Sequence, residues 1–181
     1  AVNMAGLRGR GESVTVSCQT VMALRDTAEI LQQAGKFPQK IAEYSEAAEK
    51  LRRNILTHAR NGRGWFNSVF NDDGRWIFSD EDPDGATRPY GPVNYYAVIS
   101  CTAEPEHVND TLAVAQMLKS PYGYRLFYPP FGAQKIPHVG RQTTGDVPPF
   151  LAENGNVYNH GSQGFLARAL ARAGRGEQLF D

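Results

Sequence analysis

A mainly α fold, built from the helical hairpins of an α/α toroid with one small β-hairpin excursion, is what this 181-residue sequence predicts. Three observations carry it. Apolar residues recur at helical spacing over 14–31, 41–55 and 108–115. The connection between the first two of these stretches is too short for anything but antiparallel neighbours. Two aromatic-rich runs around Asp-Gly then interrupt the helices in the manner of a β-hairpin.

Residues 1–12 form a Gly/Arg loop. Its Gly6-Leu7-Arg8-Gly9-Arg10-Gly11 run looks like a nucleotide loop, but the Walker spacing is absent and no strand pattern precedes it. Ser13 suits an N-cap. From there Val14, Cys18, Val21, Leu24, Ala28 and Leu31 form one apolar stripe that stops at Gly35. Pro38 suits the first turn of the next helix, whose Ile41, Tyr44, Ala48, Leu51 and Ile55 share a face. The hairpin follows, with Trp65–Phe70 and Arg75–Phe78 flanking Asn71-Asp72-Asp73-Gly74.

Asp80-Glu81-Asp82-Pro83-Asp84-Gly85 matches the first half of a calcium loop. Its twelfth position is Gly91 rather than Glu, and a hairpin precedes it, so a solvated acidic loop is expected. Val93–Ala103 and Pro105–Lys119 read as a second helical pair, the latter with Val108, Leu112 and Ala115 on one face. Tyr124–Tyr128 is a short strand candidate. Pro129 to Asn156 is too long for a simple connector, and loops of this length in compact domains tend to carry function. A last helix ends at Gly174 or Gly176, and Glu177–Asp181 opens another. Two pairs and an unpaired helix do not close a ring.

Composition narrows the function. A 41% hydrophobic content fits a soluble globular chain with a core, read here as a single domain over 1–181. Lys+Arg and Asp+Glu are equal at 19 each, so no positive field drives nucleic-acid binding. No run approaches a membrane span, and the N-terminus lacks the features of a signal peptide. Cys18 and Cys101 lie in helical patterns without metal spacing, which reads as two buried free thiols in a reducing, cytoplasmic compartment. His58, His107 and His138 have no metal spacing either, so solvated histidines and no metal are expected.

The stretch from Glu153 to Arg172 organises the rest. Its first half is polar and Gly-rich, and its second half repeats Phe165, Leu166, Ala169 and Leu170 at helical spacing. A loop therefore delivers His160 to a helix start. The first N–H groups of a helix lack intrahelical partners and carry the positive end of its dipole, so His160, Gly161, Ser162 and Gln163 suit an anion such as phosphate. The alternative is a His that merely caps or packs.

Five segments in order resemble glycoside hydrolase family 94. They are Gly9-Arg10-Gly11-Glu12-Ser13; Trp65-Phe66 with Asp72-Asp73-Gly74; Tyr96-Ala97-Val98-Ile99-Ser100; Pro129-Pro130-Phe131; and Glu153-Asn154-Gly155 with Tyr158 and His160. That family holds inverting glycoside phosphorylases such as cellobiose and chitobiose phosphorylase, and the related domain of cyclic β-1,2-glucan synthases. The resemblance implies a six-hairpin (α/α)6 barrel, with this chain as its C-terminal part. It also implies phosphorolysis of a disaccharide or oligosaccharide, with inorganic phosphate as co-substrate and no cofactor. Phosphate attacks the anomeric carbon while an Asp protonates the glycosidic oxygen, so an anion cradle replaces the second carboxylate of an inverting hydrolase.

His160 matches the family's phosphate-contacting His, with Gly161 and Ser162 beside it. Glu12, Glu153, Asn154, Tyr158 and Gln163 are the implied sugar contacts. Several of these have structural alternatives. Glu12 near a helix start also favours the dipole, Asn154 also suits a loop-holding role, and Trp65 and Trp76 either stack on sugars or pack.

Departures accompany the match. The family's general acid lies in a Trp-Asn-Asp segment that would end just before Ala1, its phosphate-contacting Thr-Gly and a substrate Gln would fall beyond Asp181, and Ala152 stands where an acceptor-contacting Lys is common. A general acid contributes on the order of 10²–10⁴ in rate, so the chain alone is expected not to turn over a glycoside. An open arc of hairpins also predicts uncovered apolar faces and self-association. An inverting hydrolase and a non-catalytic carbohydrate-binding or assembly module are the other classes compatible with these residues.

Overall fold

The computed structural model describes residues 6–131, 154–157 and 159–179, and these are mostly helical. A two-residue strand β1 (Glu12–Ser13) leads into α1 (Val14–Gln33), which turns back as α2 (Pro38–Ala59). The caps are those the sequence encodes. The Ser13 side chain accepts the Val16 N–H, and Pro38 occupies the first turn of α2. Gly35 at φ +64° closes α1, with the Lys36 N–H on Leu31 O (3.1 Å) and the Gly35 N–H on Gln32 O (3.0 Å). This is the paired bonding that a left-handed glycine allows.

The hairpin is β2 (Val69–Phe70) and β3 (Trp76–Ile77), antiparallel with Val69 opposite Ile77 and Phe70 opposite Trp76. β1 adds to it through Glu12–Phe70 and Ser13–Val69, giving a three-stranded sheet in the order β1-β2-β3. The sheet thereby ties the start of α1 to the hairpin. Trp65 is buried against Val114 and Leu118, so it packs rather than faces solvent.

Next comes α3 (Gly91–Ile99), whose nine residues are all buried. A helix that is apolar all round, with no charged residue, is driven to the centre of its neighbours. Its one amide, Asn94, is satisfied there: it accepts the Phe66 N–H (2.9 Å) and donates to Tyr90 O (2.9 Å). The helix starts two residues before the expected Val93 because Pro92 serves its first turn. It stops short of Ala103 because Cys101 takes φ +53°.

A short turn (Pro105–His107) leads to α4 (Val108–Leu118), then β4 (Lys119–Ser120) and β5 (Gly123–Tyr124). The strand expected over Tyr124–Tyr128 is reduced to Tyr124. Beyond it the backbone changes partners, Arg125 bridging Val157 and Phe127 bridging Tyr90, so no continuous ladder forms. A π-helical turn (Asn159–Gly164) continues directly into α5 (Phe165–Arg172), which Gly174 ends at φ +70°. The remaining turn is Gly176–Leu179.

The packing is that of a partial toroid. α3 lies between α1 and α5, while α2 packs on α1 and α4 on α3. The main core gathers Val14, Cys18 and Val21 with α3 and with Leu166, Ala169 and Leu170 of α5. A second cluster of Phe78, Phe127 and Phe131, with Tyr90 against it, sits beneath the hairpin. Toward the far end of the α1–α2 hairpin, Ile30 and Phe37 remain 64% and 62% exposed.

The acidic loop is solvated only in part: Glu81, Asp84 and Gly85 are exposed, but Asp82 turns inward. Asp82 and Arg88 are buried and paired, and Arg88 also holds Asp84 at 2.8 Å. The Asp82 carboxylate accepts the Ser79 N–H and Oγ–H, each at 2.8 Å, so the charges enter the interior fully hydrogen-bonded.

Candidate functional site

Among the described residues the inner helices α1, α3 and α5 run parallel, so their N-termini open at one end of the arc. Arg25, midway along α1, donates to Ser100 O at the end of α3 (2.9 Å). Phe165 at the start of α5 packs on Tyr96 of α3 with ring centroids 4.8 Å apart. Arg172 at the end of α5 reaches Cys101 Sγ (2.8 Å), just past the end of α3. Ser13, Gly91 and the turn Asn159–Gly164 therefore stand at the same end, together with the sheet.

The turn that carries the anticipated anion site is π-helical, a geometry that usually appears as single turns and often at functional sites. Gly161 and Ser162 are buried there. Ser162 is fully buried, and its Oγ has no hydrogen-bond partner among the described residues. Gln163 reaches back to the neighbouring segment: its Oε1 accepts the Tyr124 N–H at 2.7 Å and its amide lies against Gly123. The side chain of His160 lies outside the described residues, as do Glu153 and Tyr158.

Asn154 takes the loop-holding role. Its Oδ1 accepts the Phe131 N–H (2.7 Å) and its Nδ2 donates to Phe131 O (2.8 Å). With the Leu126 N–H on Asn156 O (2.8 Å) and the Gln163 contact, residues 154–157 and 159–163 are clamped beside the segment 123–131.

Glu12 lies elsewhere on this end. It is exposed in β1 rather than in the first turn of α1, and it lines a cavity of about 530 Å³ with Arg10, Ser17, Asn54, His58 and Trp76. That volume falls within the roughly 300–1,000 Å³ typical of small-molecule sites. Trp76 meets Phe70 edge-on at 5.1 Å, giving the cavity an aromatic wall. Sequence reasoning missed Asn54 and His58 as lining groups, although their i, i+4 spacing on α2 puts them on one face.

The Gly/Arg loop holds an anion after all, from its own chain. The backbone N–H groups of Arg8, Arg10 and Gly11 converge on the Asp72 carboxylate at 2.6, 2.8 and 3.0 Å. The Arg8 N–H above all, then those of Arg10 and Gly11, hold Asp72 below the usual carboxylate range. Arg8 and Asp73 pair beside it.

The two thiols differ. Cys18 is buried, and burial pushes its thiol up to about 11. Cys101 is only partly buried, against the expectation of two buried thiols, because Arg172 covers it from one side. Glu104, Glu106 and His107 bring ligand atoms within 4.8 Å of one another, but Glu104 already pairs with Arg52 at 3.3 Å. Among the described residues no helix is long and apolar enough to cross a membrane.

Comparison with known proteins agrees with this architecture. The family model for the glycosyl hydrolase 94 superfamily, catalytic domain, matches residues 1–181. A solabiose phosphorylase of Paenibacillus borealis is 33% identical over 182 residues, covering 100% of this chain and 23% of that protein. A 3-O-beta-D-glucopyranosyl-beta-D-glucuronide phosphorylase of the same organism is 29% identical over 181 residues, 99% of this chain and 22% of the relative. A cellobionic acid phosphorylase of Neurospora crassa is 28% identical over 166 residues, 91% and 20% respectively. The chain thus spans less than a quarter of each of these relatives.

Proposed function

The chain belongs to the glycosyl hydrolase 94 superfamily, within its catalytic domain, and from that we propose that it forms the phosphate-holding part of an inverting glycoside phosphorylase. In this reading the chain is the C-terminal portion of one (α/α)6 domain acting on a disaccharide or oligosaccharide. Inorganic phosphate attacks the anomeric carbon, the glycosidic C–O bond breaks, and the departing sugar oxygen takes a proton from an acid outside this sequence. The sugar 1-phosphate is the second product.

One observation carries the proposal: the π-helical turn Asn159–Gly164 sits at the common N-terminal end of the inner helices with the Ser162 hydroxyl buried and unpartnered among the described residues. A buried hydroxyl without a partner is costly, and an incoming phosphate oxygen is a partner it lacks. The first N–H groups of the turn and His160 add donors of the same sign. Glu12 and its cavity are the proposed sugar-facing surface, whereas Asn154 and Gln163 are assigned to holding the loop. A hydrolase reading needs a free base, and Asp82 and Asp84 are both engaged by Arg88.

Phosphate titration followed through the His160 ring resonances tests this. Those resonances should shift saturably with phosphate, and His160→Ala and Ser162→Ala should both weaken binding. Unmoved His160 resonances, or equal binding by His160→Ala, would overturn the assignment.

A further inference from the structure

We propose that Arg88 is a positioning residue for the segment that carries Asn154 and the π-helical turn, acting through Pro129 and Phe131; this rests on the phosphorylase reading above. Arg88 is almost completely buried, and each nitrogen of its guanidinium has a hydrogen-bond partner. Nη1 and Nη2 are held by Asp82 and Asp84, with Nη1–Asp84 Oδ1 at 3.2 Å and Nη2–Asp84 Oδ2 at 2.8 Å. Nε donates to Pro129 O at 2.7 Å, and the planar group lies 3.9 Å from the centre of the Phe131 ring. Phe131 is the residue whose N–H and C=O are both bound by Asn154.

The contacts therefore form a continuous line from the loop of residues 82–84, through Arg88, to Phe131 and Asn154. Beyond Asn154 the Leu126–Asn156 and Tyr124–Gln163 bonds extend the clamp to the turn holding Ser162. The acidic loop, which the sequence presents as a failed calcium loop, thus serves to orient an arginine. Only arginine fits this role, because a single planar group must meet two carboxylates and a carbonyl at its edge and a ring on its face. Lysine retains the charge but supplies neither the fork nor the flat face.

Hydrogen exchange of the chain and of Arg88→Lys and Asp84→Asn decides the matter, with inorganic phosphate as the probe of the turn. The reporting amides are Tyr124, Leu126 and Phe131, which donate to Gln163, Asn156 and Asn154. In Arg88→Lys their exchange should rise by roughly 2- to 30-fold, the span for a residue within a coupled network, while amides of α1 and α2 stay unchanged. Phosphate affinity at the turn should fall by a similar factor, and Asp84→Asn should give a smaller change in the same direction. Wild-type exchange at these three amides, or a rise shared equally by α1, would overturn the inference. So would local loosening that leaves phosphate affinity untouched. Absence of phosphate binding by the unmodified chain would instead sink the functional reading, and the three amides would then decide alone whether Arg88 orders this segment.

Discussion

Replacing Arg88 with Met removes the one cation that pairs with Asp82 among the described residues, and the structure sets the scale of the loss. Both side chains are buried, at 1% and 0% exposure, so solvent screens neither. Breaking a buried pair by removing one partner costs about 3–5 kcal/mol, because the other charge is left in the interior. The stacking on Phe131 goes with it. Against a total stability of about 5–15 kcal/mol, that is a large fraction.

Melting should fall by roughly 6–20 °C, at about 2–4 °C per kcal/mol for a chain of this size. The loss depends on pH in a defined direction. Burial already pushes the Asp82 carboxyl above its ordinary range, and loss of Arg88 raises it further. A carboxyl whose folded value lies above its unfolded one costs stability as pH rises from about 3.9 toward the folded value, so the variant should be less impaired at pH 4.5 than at pH 7. Urea unfolding at both pH values measures this. Adding Asp82→Leu removes the stranded acid and should restore most of the loss. A cost below about 1 kcal/mol at pH 7, a cost no smaller at pH 4.5, or a double variant no better than the single one would refute the reasoning.

The two cysteines should separate on alkylation of the native chain at pH 8. Cys18, with its thiol pushed to about 11, presents roughly one thiolate in a thousand and is buried, so mass spectrometry should find at most one rapid adduct, on Cys101; fast double labelling contradicts the packing around α1. Asp72 and Asp84, held below the usual carboxylate range by the Arg8 backbone N–H and by Arg88 respectively, contribute stability that is present above about pH 3.9 and lost as pH falls through their folded values. Asp72→Asn should therefore flatten the acid limb of a circular-dichroism pH profile, and an unchanged limb would count against the nest formed by Arg8, Arg10 and Gly11.

Local chemistry explains what was legible beforehand. Ser13, Gly35 and Pro38 act within a few residues of themselves, so the ends of α1 and α2 follow from the chain alone. Asp-Gly at the tip and aromatics on both sides specify β2 and β3 in the same way. The order of five short segments carries the family. The π-helical character of the turn at His160 was not legible, since a start signal does not distinguish i→i+4 from i→i+5 bonding.

What only the tertiary structure decided lies in the long-range pairs. Asp72 meets the Arg10 N–H across 62 residues, Arg88 meets Pro129 across 41, and Asn154 meets Phe131 across 23. A Gly/Arg loop and an acidic loop look like ligand sites in isolation because their donors and acceptors have no local partner. Folding supplies the partners from distant parts of the chain, and a buried polar group must take whichever one the topology brings within reach.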